Sequence, residues 1–139
     1  MSTFDLSKWK HIGSSPNAAI YELDAQVLVV VPHDGARDTA ETAAESVRIQ
    51  LEFLKALKRR CGVVVMMDHV AEQDGAARTV YRDAPDPAYQ ACYALVGSTK
   101  FGRAVASIFT GLSPPKVPTK MFGTFDEAVA WVRQTVGQP

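Results

Sequence analysis

The sequence predicts an α/β domain in which a mixed sheet of about five to six strands is flanked by about four helices. A run of β-branched residues at positions 26–31 is typical of a strand that is covered on both faces. Apolar residues that recur every third or fourth position between residues 37 and 60 indicate a long helix. Residues 93–132 then read as strand, turn, helix, strand, helix, and two successive crossovers imply parallel strands.

The first part of the chain contains three predicted strands that pair antiparallel through short turns. They span residues 9–13, 18–23 and 26–31. Clusters of turn-forming residues follow the first and the third of these strands, and Asp24-Ala25 forms a tight connection after the second. Because short turns permit only antiparallel neighbours, this part of the sheet is expected to be antiparallel.

A long helix is predicted over residues 37–60. Its main apolar stripe contains Ala40, Ala43, Ala44, Val47, Leu51 and Leu54. Ile49, Phe53 and Ala56 form a second, smaller stripe. This second stripe faces either another element of the same chain or a second subunit, so a homodimer is one possibility.

The second part of the chain alternates strands and helices. Strands are predicted over residues 63–67, 90–96 and 121–123, and helices over residues 73–82, 101–112 and from residue 124 onward. Thr124 and Glu127 match the reciprocal capping pattern that marks the start of a helix. The strands of this part must be parallel, because a helix separates each strand from the next.

The composition predicts a single domain over residues 1–139, with an ordered core at about residues 9–136. Fifteen basic side chains balance fifteen acidic ones, which disfavours a nucleic-acid partner. Cys61 and Cys92 each begin an apolar strand and are expected to be buried, reduced thiols; a disulfide between them is the alternative, for which the sequence gives no support. No segment approaches the ~18 apolar residues of a membrane span, and no signal peptide is evident, so a cytoplasmic protein is expected.

Two segments carry a resemblance to a known family. They are the strand-turn-helix ALVGSTKFGRAVASIF and the closing MFGTFDEAVAWV, in which Phe122, Ala128 and Trp131 carry the pattern. Both resemble the STAS-like domains, the relatives of the sporulation anti-anti-sigma factor SpoIIAA, including the small bacterial proteins labelled STAS/SEC14 domain-containing. The resemblance covers about residues 18–136 and implies a SpoIIAA-like fold.

The resemblance also implies a function. STAS domains are mainly non-catalytic binding and regulatory modules that act through protein–protein interaction, and it implies no cofactor. Phospho-regulated members carry a serine in an Asp-Ser turn, whereas Asp74-Gly75-Ala76 stands at the matching place here without a hydroxyl. A switch controlled by phosphorylation of this serine is therefore not expected.

An alternative branch of the family shares its fold with lipid-binding CRAL-TRIO domains. It implies a small apolar ligand in a pocket between the C-terminal helices and the sheet. The apolar residues available to line such a pocket are Phe101, Ile108, Phe109, Leu112 and Met121.

Polar residues follow three of the predicted strands at the edge where the C-terminal ends of parallel strands meet. This edge is the predicted site for a ligand or a protein partner. Its candidate residues are His33, Asp34, Asp68, His69, Asp74, Gly97, Ser98, Thr99 and Lys100.

The same residues allow other interpretations. His33, Asp68 and His69 offer an acid/base pair or metal ligands, and Ser98 offers a nucleophile. The helix start at residues 97–100 can receive an anion through its N–H groups, while Asp34 and Ser98 or Thr99 can simply cap helices. Because the Gly-x-Ser-x-Gly elbow and the Walker spacing are both missing, binding without catalysis is the main prediction.

Overall fold

The computed structural model describes residues 8–100 and 115–137. Its strands are β1 (Lys10–Ser15), β2 (Ala18–Asp24), β3 (Val27–Pro32), β4 (Ala36–Asp38), β5 (Cys61–Met66), β6 (Val70–Gln73), β7 (Gln90–Val96) and β8 (Thr119–Phe122). Its helices are α1 (Ala40–Leu57), α2 (Gly75–Asp83) and α3 (Phe125–Val136), and a 3-10 turn, Met67–His69, joins β5 to β6. The α/β class is confirmed. The helix predicted over residues 101–112 lies outside the described residues, which contain three helices instead of about four.

Six strands form the main sheet, in the order β1-β2-β3-β5-β7-β8. β1, β2 and β3 pair antiparallel, and β3, β5, β7 and β8 pair parallel. The predicted mixed sheet is therefore confirmed, with the antiparallel strands at the N-terminal side. The short turn between β2 and β3 is held by Asp24, whose Oδ1 accepts a hydrogen bond from the backbone N–H of Gln26 at 2.8 Å.

Side chains of the central strands alternate between two helix layers, as the pleat of a strand requires. Val29 and Val64 belong to a buried cluster that includes Val132 of α3. Val63 belongs to a second buried cluster, on the opposite face, that includes Leu54 of α1. The sheet is therefore covered on both faces, which explains the uninterrupted apolar sequence of β3.

The two cysteines lie in different layers of the molecule. Cys61 belongs to the cluster on the α1 side, and Cys92 belongs to the cluster on the α3 side. Both are fully buried free thiols, and burial raises the pKa of each to about 11. The prediction of buried, reduced cysteines is confirmed.

Two glycines allow the helices to lie directly on the sheet. A Cβ at Gly62 in β5 would come within 2.4 Å of Val132 Cγ1 in α3. A Cβ at Gly13 in β1 would come within 2.7 Å of Ile49 Cγ2 in α1. Ile49 and Phe53 pack against the buried cluster on the α1 side, so the second apolar stripe of α1 has a partner within the chain.

A two-stranded parallel sheet of β4 and β6 was not predicted. Arg37 and Asp38 pair with Glu72 and Gln73, so α1 begins at Ala40 and not at residue 37.

Thr39 caps helix α1: its hydroxyl accepts from the N–H of Thr42 at 3.3 Å, and the hydroxyl of Thr42 accepts from the N–H of Thr39 at 2.9 Å. At the other end, Lys58 adopts a left-handed φ of 50°, which ends the helix before residue 60.

A buried hydrogen-bond network joins α1 to β7. The Gln50 Oε1 atom accepts from Gln90 Nε2 at 2.8 Å and from the Tyr93 hydroxyl at 2.9 Å. Gln90 Nε2 also donates to the Tyr93 hydroxyl at 3.0 Å. All three residues are buried, so these polar groups satisfy one another in the core instead of reaching water.

The final helix begins where the sequence predicts. The Thr124 hydroxyl accepts from the N–H of Glu127 at 3.2 Å and donates to the carboxylate of Glu127 at 2.9 Å. Trp131 of this helix packs against Phe122 of the edge strand β8, with ring centroids 5.4 Å apart. Among the residues that the structure describes, no helix combines the length and apolar composition that a membrane crossing needs.

Candidate functional site

The C-terminal ends of four parallel strands meet at one edge of the main sheet. Val96 in β7 pairs with Met66 in β5 on one side and with Phe122 in β8 on the other. Beyond the strand, the N–H of Gly97 donates to the carbonyl of Phe122 at 3.0 Å. The polar residues at this edge, hereafter the rim, are His33, Asp34, Asp68, His69, Gly97, Ser98, Thr99 and Lys100.

Asp68 organises the rim. Its Oδ1 atom accepts from the N–H of Thr99 at 3.0 Å and from the Thr99 hydroxyl at 2.9 Å. Its Oδ2 atom accepts from the N–H of Ser98 at 3.1 Å and also from the Ser98 hydroxyl. The carboxylate thus receives four hydrogen bonds from two consecutive residues, an arrangement hereafter called the Asp68 clamp.

The Asp68 clamp fills the position where an anion was predicted to bind. Lys100 has helical backbone, and the segment that follows it lies outside the described residues. The N–H groups of Ser98 and Thr99, where an anion was predicted to bind, donate instead to a carboxylate that the chain supplies from the turn after β5. That Ser98 or Thr99 caps a helix stays a prediction.

The hydrogen bonds also set the charge of Asp68. Burial taken alone raises the pKa of its carboxyl group, but the bonds from Ser98 and Thr99 outweigh burial and bring the pKa below its usual value. Asp68 is therefore ionised at neutral pH. A carboxylate of lowered pKa with four donors around it is a poor general base.

An aspartate and a histidine form a second side-chain contact at the rim. Asp34 Oδ1 is 3.5 Å from His69 Nδ1, and the two side chains are 98% and 48% exposed, respectively. The N–H of Gly35 donates to the carbonyl of His69 at 3.0 Å, which ties the exit of β3 to the exit of β5. Asp34 does not cap a helix, because Thr39 has that role at the start of α1. The catalytic interpretation needs a concave site, and this pair lies on exposed turns.

Asp74 is the one predicted site residue that lies away from the rim. Its carboxylate accepts from the N–H of Ala77 at 2.8 Å and so caps α2. It follows β6, which leads away from His69 for four residues, a distance of roughly 13 Å in extended chain. Asp74 therefore belongs to the small sheet and to α2.

A cavity that the sequence analysis missed lies beneath α2, on the same side of the sheet as α1. Its volume is about 50 Å³. Val30, Val65 and Leu95 line it from three neighbouring strands, and Arg78 and Tyr81 line it from α2. The sequence signal for this cavity was the small residues of α2. Only Ala77 of this helix is fully buried, and so small a side chain leaves space above the sheet.

Asp38 forms a polar wall of this cavity and is 6% exposed. Its Oδ1 atom accepts from the Thr42 hydroxyl at 2.7 Å and from Asn17 Nδ2 at 3.2 Å. Its Oδ2 atom accepts from Gln73 Nε2 at 3.2 Å. Burial, and then the nearby charge of Asp38, raise the pKa of the Tyr81 hydroxyl well above its usual value.

The apolar pocket predicted for a lipid falls mostly outside the part of the chain that the structure describes. The described residues exclude Phe101, Ile108, Phe109 and Leu112, and Met121 is 37% exposed on β8.

Within residues 8–100 and 115–137, no three or more His, Cys, Asp or Glu side chains come together as metal ligands. The metal interpretation of His33, Asp68 and His69 therefore has no support in the geometry.

Comparison with known proteins identifies the family of this chain. No curated protein and no solved structure matches this chain. The family described as "Domain of unknown function (DUF7793)" matches residues 21–136, which is more than half of the chain. The matched region runs from Tyr21 in β2 to the last residue of α3 and includes the whole rim. The chain therefore belongs to the DUF7793 family, a family whose description assigns no function.

Proposed function

We propose that this domain is a non-catalytic binding module of the STAS-like type that engages a protein partner through the rim. The observation that carries the proposal is the Asp68 clamp. Four hydrogen bonds to one carboxylate hold the exposed residues Ser98 and Thr99 in one arrangement. A surface that is already ordered loses less conformational freedom when a partner binds, so more of the contact energy becomes affinity.

The chemistry of the rim favours binding over catalysis. Both oxygens of Asp68 are occupied by donors, and its pKa is lowered, so it is poorly suited to accept a proton from a substrate. His69 and Asp34 are exposed and are available to a partner surface. Lys100 adds an exposed positive charge beside these acidic groups. A rim with both signs of charge suits recognition of a complementary protein surface.

We further propose that binding is not controlled by phosphorylation at the position used by phospho-regulated STAS domains. The turn at that place, Asp74-Gly75-Ala76, has no hydroxyl group. The carboxylate of Asp74 instead caps α2 through the N–H of Ala77.

Lipid binding is the less favoured alternative. Ligand pockets usually have volumes of about 300 Å³ or more. The cavity beneath α2 has about 50 Å³, the space of a few water molecules. An acyl chain does not fit this volume, so the cavity beneath α2 does not support lipid binding, and most residues of the predicted lipid pocket lie outside the described part of the chain.

The test is site-specific photo-crosslinking in the native cells, with the crosslinker at His69 or Lys100 and, as a control, at Lys55. Lys55 is exposed, and its Nζ lies over the ring of Tyr89, just before the start of β7 and so at the edge of the sheet opposite to the rim. We expect both rim positions to capture the same protein and the control position not to capture it. The captured partner is then purified and its affinity is measured for Lys100→Glu and Lys55→Glu. A loss of about tenfold for the first variant alone is expected, and equal losses for both would refute the proposal.

A further inference from the structure

Helix α2 is attached to the molecule less firmly than the other two described helices. It packs mainly against α1 and not on the strands of the main sheet. Ala77 is its one fully buried side chain, whereas α1 buries Leu54 and α3 buries Val132, each together with other residues. The cavity of about 50 Å³ lies in the layer between α2 and the strands. Separation of α2 from the sheet therefore returns little apolar surface to water.

The strand that leads into α2 is also separate from the main sheet. In the described part of the chain, β6 pairs only with the three-residue strand β4. The N–H of Asp74 donates to the carbonyl of Asp38 at 3.1 Å, and the N–H of Lys116 donates to the carbonyl of Arg82 at 3.1 Å. Residues 70–83, hereafter the lid, comprise β6 and α2. The lid can leave β4 without breaking any pairing of the main sheet.

Asp38 fastens the closed lid to the rest of the molecule. Its carboxylate is 6% exposed and accepts hydrogen bonds from two lid side chains, the amide of Gln73 and the hydroxyl of Tyr81. Two further donors, Asn17 and Thr42, lie outside the lid. All four donors are neutral groups, so they replace only part of the hydration that a carboxylate loses on burial. When the lid opens, water reaches this carboxylate and offsets the loss of the two lid bonds.

We propose that the lid opens as a unit while the main sheet stays folded, and that this motion gates access to the cavity beneath α2. In the closed state, Val30 and Leu95 on the cavity floor are 5% and 2% exposed, respectively. In the open state they join the partly exposed Val65 in an apolar surface across three neighbouring strands. A segment with few buried apolar contacts and polar fastenings is the kind that opens below the free energy of global unfolding.

The first test is native-state hydrogen exchange of the unmodified chain, followed by NMR. The N–H groups of Asp74 and Ala84 flank α2, and Ala84 donates to the carbonyl of Val80 at 2.8 Å. The N–H of Gly62, which donates to the carbonyl of Gln26 at 2.9 Å, is the reference in the main sheet. We expect Asp74 and Ala84 to have protection factors within about threefold of each other and at least about tenfold below that of Gly62. Protection equal to that of Gly62 would overturn the proposal, as would unequal values at the two ends.

The second test places a thiol on the cavity floor. Val30→Cys is compared with Val29→Cys, because Val29 is fully buried on the opposite face of the same strand. Alkylation and peptide mass spectrometry give the labelling rate at each position. We expect labelling of Val30→Cys to be at least about tenfold faster than that of Val29→Cys and of the native Cys61, which reports the opening of the α1 layer. Its rate should rise less with urea, since lid opening exposes less surface than unfolding. Equal rates with equal urea dependence would refute a separate lid.

A variant of the lid tests its fastening to Asp38. Tyr81→Phe removes one of the two lid donors and should accelerate labelling of Val30→Cys about fivefold. Tyr21→Phe is the matched control, because Tyr21 lies in β2 against the rings of Trp9 and His11, and should change the rate less than about twofold. An unchanged rate in Tyr81→Phe would contradict the role of Asp38. These measurements use the domain alone, so they are independent of the crosslinking result.

Discussion

Asp68 and Thr99 are 31 residues apart in the sequence, yet the Asp68 carboxylate accepts the N–H of Thr99 at 3.0 Å and its hydroxyl at 2.9 Å. The two residues follow neighbouring parallel strands, β5 and β7, whose ends lie side by side. Their contact fastens the exits of these strands to each other. The rim is thus shaped by a carboxylate from the turn after one strand and by donors from the segment after the next.

Removal of this carboxylate should destabilise the domain. Asp68→Ala leaves the N–H groups and hydroxyls of Ser98 and Thr99 without their acceptor, so we expect a loss of about 1–2 kcal/mol in the free energy of unfolding. Urea denaturation followed by circular dichroism measures it. Asp34→Ala is the control, because the Asp34 side chain is 98% exposed and its removal should cost less than about 0.5 kcal/mol. Similar losses for both variants would contradict the role of the clamp.

The contribution of Asp68 should disappear in acid. Its pKa in the folded state lies below the ordinary carboxyl value of about 3.9, so its ionised form favours folding. The stabilisation is complete above about pH 4 and is lost as the pH falls through the folded-state pKa. The gap in unfolding free energy between the wild type and Asp68→Ala should therefore shrink between about pH 7 and about pH 3. A gap that stays constant over this range would show that the charge of Asp68 is irrelevant.

The buried network between α1 and β7 should behave as a unit. Gln50→Leu deprives both Gln90 and the Tyr93 hydroxyl of an acceptor and should cost about 2–3 kcal/mol. Tyr93→Phe should cost about 1 kcal/mol, and the double variant should cost less than the sum of the two. Chemical denaturation of the three variants measures these terms. Tyr89→Phe is the control, expected near zero, and strict additivity would mean that the network is not cooperative.

Gly62 should tolerate no side chain. A Cβ there would lie 2.4 Å from Val132 Cγ1 and 2.9 Å from Cys92 Sγ, so Gly62→Ala should destabilise the domain by about 1–3 kcal/mol through overpacking. Gly123→Ala is the matched control, because a Cβ there meets nothing within 4 Å. Thermal unfolding compares the two variants. Addition of Val132→Ala to Gly62→Ala should recover part of the loss, and no recovery would mean that the clash lies elsewhere.

The strands and the rim could be predicted because their signals are local. The apolar runs of β3, β5 and β7 end at polar turns, and parallel pairing brings those turns to one edge whatever the details of packing. Asp68 and Ser98 were placed there from strand order alone. What the sequence did not reveal is that Asp68 bonds to Ser98, since nothing in either segment specifies its partner across 30 residues.

The small sheet and the cavity could not be predicted for a different reason. β4 has only three residues, and its Arg37 and Asp38 have no strand-like pattern, so the helical spacing of the following residues extended over them. Ser46 and Gln50 lie on the buried side of α1, but they are polar and so were not part of its predicted apolar stripe. The cavity depends on volumes contributed by several elements together, which no single segment encodes.

The placement of the cysteines gives each layer of the domain its own chemical reporter. Cys61 is sealed beneath the α1 layer and Cys92 beneath the α3 layer, both inaccessible and both protonated at neutral pH. An alkylating reagent can therefore reach one thiol only when the corresponding layer lifts from the sheet. The rate at which each thiol is labelled measures the opening of that layer separately, without any engineered probe.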